Sequence, residues 1–172
     1  MQRQKLIRRL RHLRNLELFN IFFLPACLYF VLSVSETLYR QPYVVSMFSI
    51  CAILAQGVFY WHIKLQSICK NEVSLPSYAY QVFFYFKWAN LLLFTVYPVL
   101  FVLGKATSSI DFQVTIWSNF LYIFAILEYV NYYHYQLSHD NMNDIRYLIK
   151  HKKIRRSPLW KDMRQIQEGS RT

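Results

Sequence analysis

The sequence predicts an all-α membrane protein: a four-span transmembrane helical bundle with basic amphipathic helices at its N-terminal and C-terminal cytoplasmic ends. Three observations lead there. Of 172 residues, 55% are hydrophobic and 19% aromatic, which is more apolar than an ordinary soluble domain. Four apolar runs, near 18–35, 43–62, 82–103 and 112–135, each approach the ~20 residues that a helix needs to cross a bilayer. Nearly all Lys and Arg residues fall outside these runs and crowd on alternate connections. The whole chain reads as one membrane domain, with three Gly, no Pro-rich or Ser-rich linker and no internal repeat.

Residues 1–17 form a basic amphipathic leader. Leu6, Leu10, Leu13 and Leu16 recur at helical spacing among Arg3, Lys5, Arg8, Arg9, Arg11 and Arg14, so such a helix can rest its leucines in the headgroup boundary of an anionic leaflet. Equally, it can extend the first span and supply its topology charges. The first run, 18–35, is broken by Asn20 and Pro25 and ends near Ser33 and Ser35, a small-x-small pair of the kind signal peptidases cut. The long basic leader favours retention. Run 43–62 closes on Trp61 and His62, an aromatic exit suited to the headgroup level. Residues 63–81 are of mixed polarity and read as the longest internal loop. Run 82–103 holds Lys87, Asn90 and Pro98, and run 112–135 holds Asn119, Glu128 and Asn131 before a tyrosine-rich exit.

The tail, 136–172, is basic and water-facing. Two short helices are expected in it: one capped by Asp140 or Asn141, the other capped by Ser157 with Pro158 in its first turn and Leu159, Met163 and Ile166 on one face. Orientation follows from the charges. The leader, the 63–81 loop and the tail carry seventeen Lys and Arg residues against two, Arg40 and Lys105, on the short loops. Both termini should therefore be cytoplasmic, as in a multi-pass protein of a bacterial plasma membrane.

Ionisable groups at membrane depth are costly and need partners. Glu128 lies seven residues before the inner end of its span and Lys87 about seven after an inner start near Tyr80, so at ~1.5 Å per residue both sit about 10 Å deep. They are expected to pair. Asn90, Asn131 and His134 lie near that depth, as do His62, Glu17 and Asn20, which extends the pair into an inner-leaflet polar network.

Catalytic readings are weaker. His134, His139, Asp140 and Asp144 match no HExxH, ExxH or paired HxxxH pattern, so neither a catalytic residue nor a metal site is assigned. Haem ligation by His62 and His134 is set aside and no cofactor is expected. Cys27, Cys51 and Cys69 are odd in number and widely spaced, which fits neither a disulfide framework nor a zinc knuckle. The run KHKKIRR, with Lys150, Lys152, Lys153, Arg155 and Arg156, resembles a nucleic-acid patch in isolation. Beside a span and Trp160 it reads as a contact for anionic lipid or an acidic partner.

The function expected is thus a non-catalytic membrane anchor or scaffold subunit. Its basic cytoplasmic face, including Arg8, Arg9, Arg11 and Arg14, would contact the anionic inner leaflet and recruit a soluble cytoplasmic partner, as a homo-oligomer or as part of a membrane complex. No nucleic acid is expected. A homo-oligomeric channel or small transporter is the alternative, and a membrane enzyme acting on lipid or peptide the third reading.

Overall fold

The structure, a computed structural model, describes residues 2–32, 41–72, 75–107, 112–137 and 154–169, with the isolated positions 146 and 150. Every named element among them is a helix: α1 (Gln2–Leu32), α2 (Gln41–Cys69), α3 (Ser77–Thr107), α4 (Phe112–Tyr133) and α5 (Pro158–Gly169). Two of these, α2 and α3, are long and apolar enough to cross a membrane. In α1 the apolar part begins only at Leu18, and α4 has 22 residues interrupted by Asn119, Glu128 and Asn131.

Helix α2 is the central element, packed against α1, α3 and α4. Its fully buried side includes Ser46, Ser49, Ile50, Ile53 and Tyr60. Small residues there let neighbouring backbones approach, and the two serines satisfy their hydroxyls locally. Ser46 Oγ donates to the Pro42 carbonyl and Ser49 Oγ to that of Val45, each at 2.8 Å. Gly57 makes the closest approach: a Cβ there would lie 2.6 Å from Tyr132 Cζ on α4.

Polarity is arranged inside out. Asn90, Ser46, Ser49 and Ser118 are at most 2% exposed, whereas Phe22 and Leu92 are each 70% exposed and Phe112 is 76% exposed. The outward apolar residues continue around the bundle through Phe19, Phe48, Trp88, Val99 and Phe120.

Of the two arrangements that the sequence leaves open for the leader, the structure has the extension, because Gln2–Leu32 is continuous and runs antiparallel to α2. Arg3 Nη2 donates to the Ile68 and Cys69 carbonyls at 2.8 and 3.2 Å, tying the start of α1 to the end of α2. The 63–81 loop shrinks, since α2 continues to Cys69 and α3 starts at Ser77. Ile63 and Leu65 keep burying the apolar face of α2 there. The helix stops at Asn71, whose φ of 63° is left-handed. Glu72 N–H then donates to the Ser67 carbonyl at 2.9 Å and Asn71 N–H to that of Ile68 at 3.2 Å, the paired bonds of a Schellman end, with Asn in the place usually held by Gly.

The described part of the tail, 154–169, folds back onto the bundle. Gln136 N–H donates to the Arg155 carbonyl at 2.9 Å and Ser157 N–H to that of His134 at 3.2 Å, which makes Tyr135 and Arg156 an isolated antiparallel bridge. Ser157 caps α5 as its sequence suggests, its Oγ accepting the Trp160 N–H at 3.0 Å. The same hydroxyl donates to the Tyr132 carbonyl. Leu159 is buried in the core, and Met163 and Ile166 pack against it. The other expected tail helix, with Asp140, Asn141 and Asp144, lies outside the described residues, as do His139, Lys152 and Lys153.

Candidate functional site at the basic end of the bundle

The start of α1, the end of α2, the start of α3, the end of α4 and all of α5 converge at one end of the bundle, where Arg3, Lys5, Lys64, Lys70, Arg156 and Arg164 gather. The polar residues there form separate clusters, where the sequence suggested one network.

The deepest cluster joins three helices. Gln56 Nε2 on α2 donates to Asn90 Oδ1 on α3 at 3.0 Å, and Asn90 Nδ2 returns a bond to Gln56 Oε1 at 2.8 Å. Tyr133 Oη on α4 donates to the same Gln56 oxygen at 2.8 Å. Removing one amide from such a buried pair strands the other. Asn90→Leu is therefore expected to cost about 1–2 kcal/mol, with strong coupling to Gln56→Leu in an unfolding cycle in micelles; strictly additive losses would contradict the pairing.

The second cluster ties α1 to α4. Tyr132 Oη donates to Glu17 Oε1, which gives the acid a hydroxyl partner. The third cluster holds α5 on α2. Lys64 Nζ is 2.5 Å from Asp162 Oδ2, Tyr60 Oη donates to the same oxygen at 2.7 Å, and Lys64 Nζ donates to Tyr60 Oη at 3.1 Å.

The expected Lys87–Glu128 pair does not form. The ion pairs among the described residues are Lys64–Asp162 and Arg164–Glu168. Glu128 instead accepts from Asn131 Nδ2 on its own helix at 3.3 Å, and Asn131 Oδ1 accepts the Leu137 N–H at 2.8 Å, closing the turn after α4. Equal depth was the basis for the pairing. Depth does not fix rotation about the helix axis, and α3 packs more on α2 than on α4. The His134 ring lies 5.5 Å from that of Tyr129. A Lys87→Gln, Glu128→Gln cycle is expected to show coupling below about 0.5 kcal/mol; a coupling above 1 kcal/mol would restore the pair.

The remaining sequence candidates are scattered. Arg14 donates to Asn15 Oδ1 at 3.1 Å and approaches His62 Nδ1 at 3.4 Å, while Gln66 Nε2 lies 3.0 Å from the other His62 ring nitrogen. Asn20 makes no side-chain hydrogen bond among the described residues. Arg8, Arg11 and Lys150 are exposed. Arg155 is half-buried, and Arg156 lies 4.5 Å from the Tyr135 ring centre and 5.1 Å from that of Trp160, an arrangement that holds a guanidinium in place by cation–π attraction. The three cysteines are free. Among the described residues no three His, Cys, Asp or Glu side chains lie together as metal ligands.

Sequence reasoning missed Gln56, Tyr60, Tyr132, Tyr133 and the Lys64–Asp162 pair. Gln56 carried a signal, since it is a polar residue inside an apolar run next to Gly57. The tyrosines read equally well as interface aromatics.

Between these clusters lies an open cavity of about 270 Å³ lined by α1, the end of α2, the exit of α4 and the start of α5. Its wall from α1 presents Leu6, Arg9, Leu10 and Leu13, with Glu17 further along, and α2 contributes Tyr60, Trp61 and Lys64. It is an amphipathic pocket with cations towards the basic end. Comparison with protein-family models, with curated proteins and with solved structures finds no match to this chain.

Proposed function

We propose that the chain is a four-span membrane protein with both termini cytoplasmic, and that it serves as a non-catalytic anchor or scaffold subunit. In this reading its basic inner face rests on anionic lipid and recruits a partner protein. The observation that carries the proposal is the inside-out distribution of polarity. Phe19 and Phe22 on α1, Phe48 on α2, Leu92 and Val102 on α3, and Ile116 and Phe120 on α4 are exposed, while Gln56, Asn90, Tyr132 and Tyr133 turn their polar atoms inward and bond between helices. Water would penalise such a surface at about 25 cal/mol per Å² of apolar area, and hydrocarbon would not. All four long helices share this outward apolar face, which supports counting α1 and α4 as spans beside α2 and α3.

The interior favours a scaffold over a pore within one chain. Ile50, Ile53, Leu121 and Ala125 are fully buried and fill the space between α2 and α4. Arg156, held between Tyr135 and Trp160, and the exposed Lys150 present cations at the end where the chain would meet a leaflet or an acidic partner.

Native-mass measurement of the gently extracted full chain is expected to show it assembled, with itself or with another protein. Replacing Lys150, Lys152, Lys153, Arg155 and Arg156 by Gln is expected to abolish co-purification of the partner while the chain stays in the membrane fraction. A lone chain, with pull-downs unchanged by neutralisation, would overturn the proposal. Ion flux in liposomes that vanishes with Glu128→Gln would favour a conduit instead.

A further inference from the structure

From the cavity beside α1 we infer a specific lipid site that takes a phosphate-bearing headgroup, with Arg9 and Lys64 as its phosphate ligands. The inference rests on the membrane reading above and deepens it, because it replaces a diffuse basic face by one pocket with named residues.

Three features of the pocket agree on this occupant. The first is charge placement along α1. Arg9, Leu13 and Glu17 line the cavity at steps of four residues, so Arg9 and Glu17 lie ~12 Å apart along the axis. The cation is on the side of the basic end and the acid on the deeper side, with leucine between them. An anion is therefore received at the mouth and refused at depth. The second is hydrogen-bonding capacity. Arg9 has no hydrogen bond among the described residues, and its guanidinium carries five donors in a fork that matches phosphate oxygens. Lys64 Nζ gives one N–H to Asp162 and one to Tyr60, so the third remains for a ligand. Asp162 also fixes the ammonium in place, since it is shared with the Tyr60 hydroxyl.

The third feature is apolar lining and size. Leu6, Leu10 and Leu13 form one wall, and Trp61 and Tyr60 stand opposite. These suit the glycerol and first methylenes of a chain that leaves towards the bilayer, as interface aromatics commonly do. At about 270 Å³ the space falls just under the ~300–1,000 Å³ of pockets that enclose a whole drug-sized ligand. A headgroup fits, and the acyl chains must lie outside along the exposed apolar face.

The test uses the full chain purified in mild detergent, stripped of loosely held lipid and titrated with short-chain phosphatidylglycerol under native-mass conditions. Wild type is expected to retain one lipid through stripping. Arg9→Gln is expected to weaken it at least about tenfold, the loss of a charged hydrogen bond, and Leu10→Trp to exclude it by filling the wall. Arg8→Gln, one residue away and exposed, is expected to leave it unchanged. Inorganic phosphate and glycerol phosphate, tested as competitors, separate sources: displacement at millimolar concentration would show that a free phosphate compound is the occupant and overturn the lipid assignment. Equal losses for Arg8→Gln and Arg9→Gln would overturn the pocket while leaving the basic-face reading intact. Recovery of the chain outside the membrane fraction would instead sink the reading on which the pocket rests. Circular dichroism and thermal unfolding of each variant verify that helix content is kept, and Arg9→Lys, which keeps charge but loses the fork, is expected to bind with intermediate strength.

Discussion

Gly57→Ala is expected to destabilise the bundle by about 1–2 kcal/mol, and Gly57→Leu by about 3 kcal/mol, the range of overpacking in a filled core. The sign is not obvious, because alanine in a helix gains up to about 1 kcal/mol over glycine. Packing reverses it. The added methyl would stand 2.6 Å from Tyr132 Cζ and 3.2 Å from Cε2, and closest of all to the hydroxyl. The Tyr132 ring has little room to yield, being 6% exposed and bound through its hydroxyl to Glu17. Displacing it therefore opens the link between α1 and α4 as well as the contact between α2 and α4. In a Tyr132→Leu background the obstacle is gone, so Gly57→Ala should become neutral or stabilising. Unfolding in a micelle series measures this, and an equal cost in both backgrounds would refute the steric account.

Asp162→Ala should release α5 while leaving the four long helices assembled. The carboxylate is the shared acceptor for Lys64 Nζ and for Tyr60 Oη, and Tyr60 is fully buried. Exposed ion pairs are worth about 0–1 kcal/mol, and removing one partner of a buried pair costs about 3–5 kcal/mol. Lys64 and Asp162 side chains are 25% and 16% exposed, so an intermediate loss near 2 kcal/mol is expected. A 12-residue helix is marginal in isolation, so that loss is enough to shift its docking. Amide exchange across 158–169 should accelerate in Asp162→Ala and less so in Asp162→Asn, which still accepts hydrogen bonds. Unchanged protection in both variants would mean that Leu159, Met163 and Ile166 alone hold the helix.

What the sequence could and could not show follows from the range of each interaction. Helical periodicity and capping are local, so the helices, the Ser157 cap and the Leu159, Met163 and Ile166 face were legible. Asn90 was legible as a buried polar group, because an amide inside an apolar run must be answered. Its partner was not, since the rotation of α2 that presents Gln56 depends on Gly57 meeting Tyr132, 75 residues further along by sequence number. The Lys64–Asp162 contact spans 98 residues and left no local trace. The Lys87–Glu128 pairing failed for the same reason: span position gives depth, and packing gives rotation. Glu17 was legible as a polar group needing a partner, and its partner, the Tyr132 hydroxyl, lies 115 residues away and was not.

The central claim is that these helices cross a membrane with the basic end inside. Labelling by a membrane-impermeant thiol reagent tests it most directly, using full-length protein in intact cells with Cys27 and Cys51 replaced by Ser. Positions at the ends of α2 and α3 away from the basic end, Gln41→Cys and Lys105→Cys, are expected to react from outside. Native Cys69, exposed at the basic end of α2, is expected to react only after permeabilisation. Labelling of Cys69 and Gln41→Cys from the same side would contradict the account, since α2 would then not cross the bilayer at all.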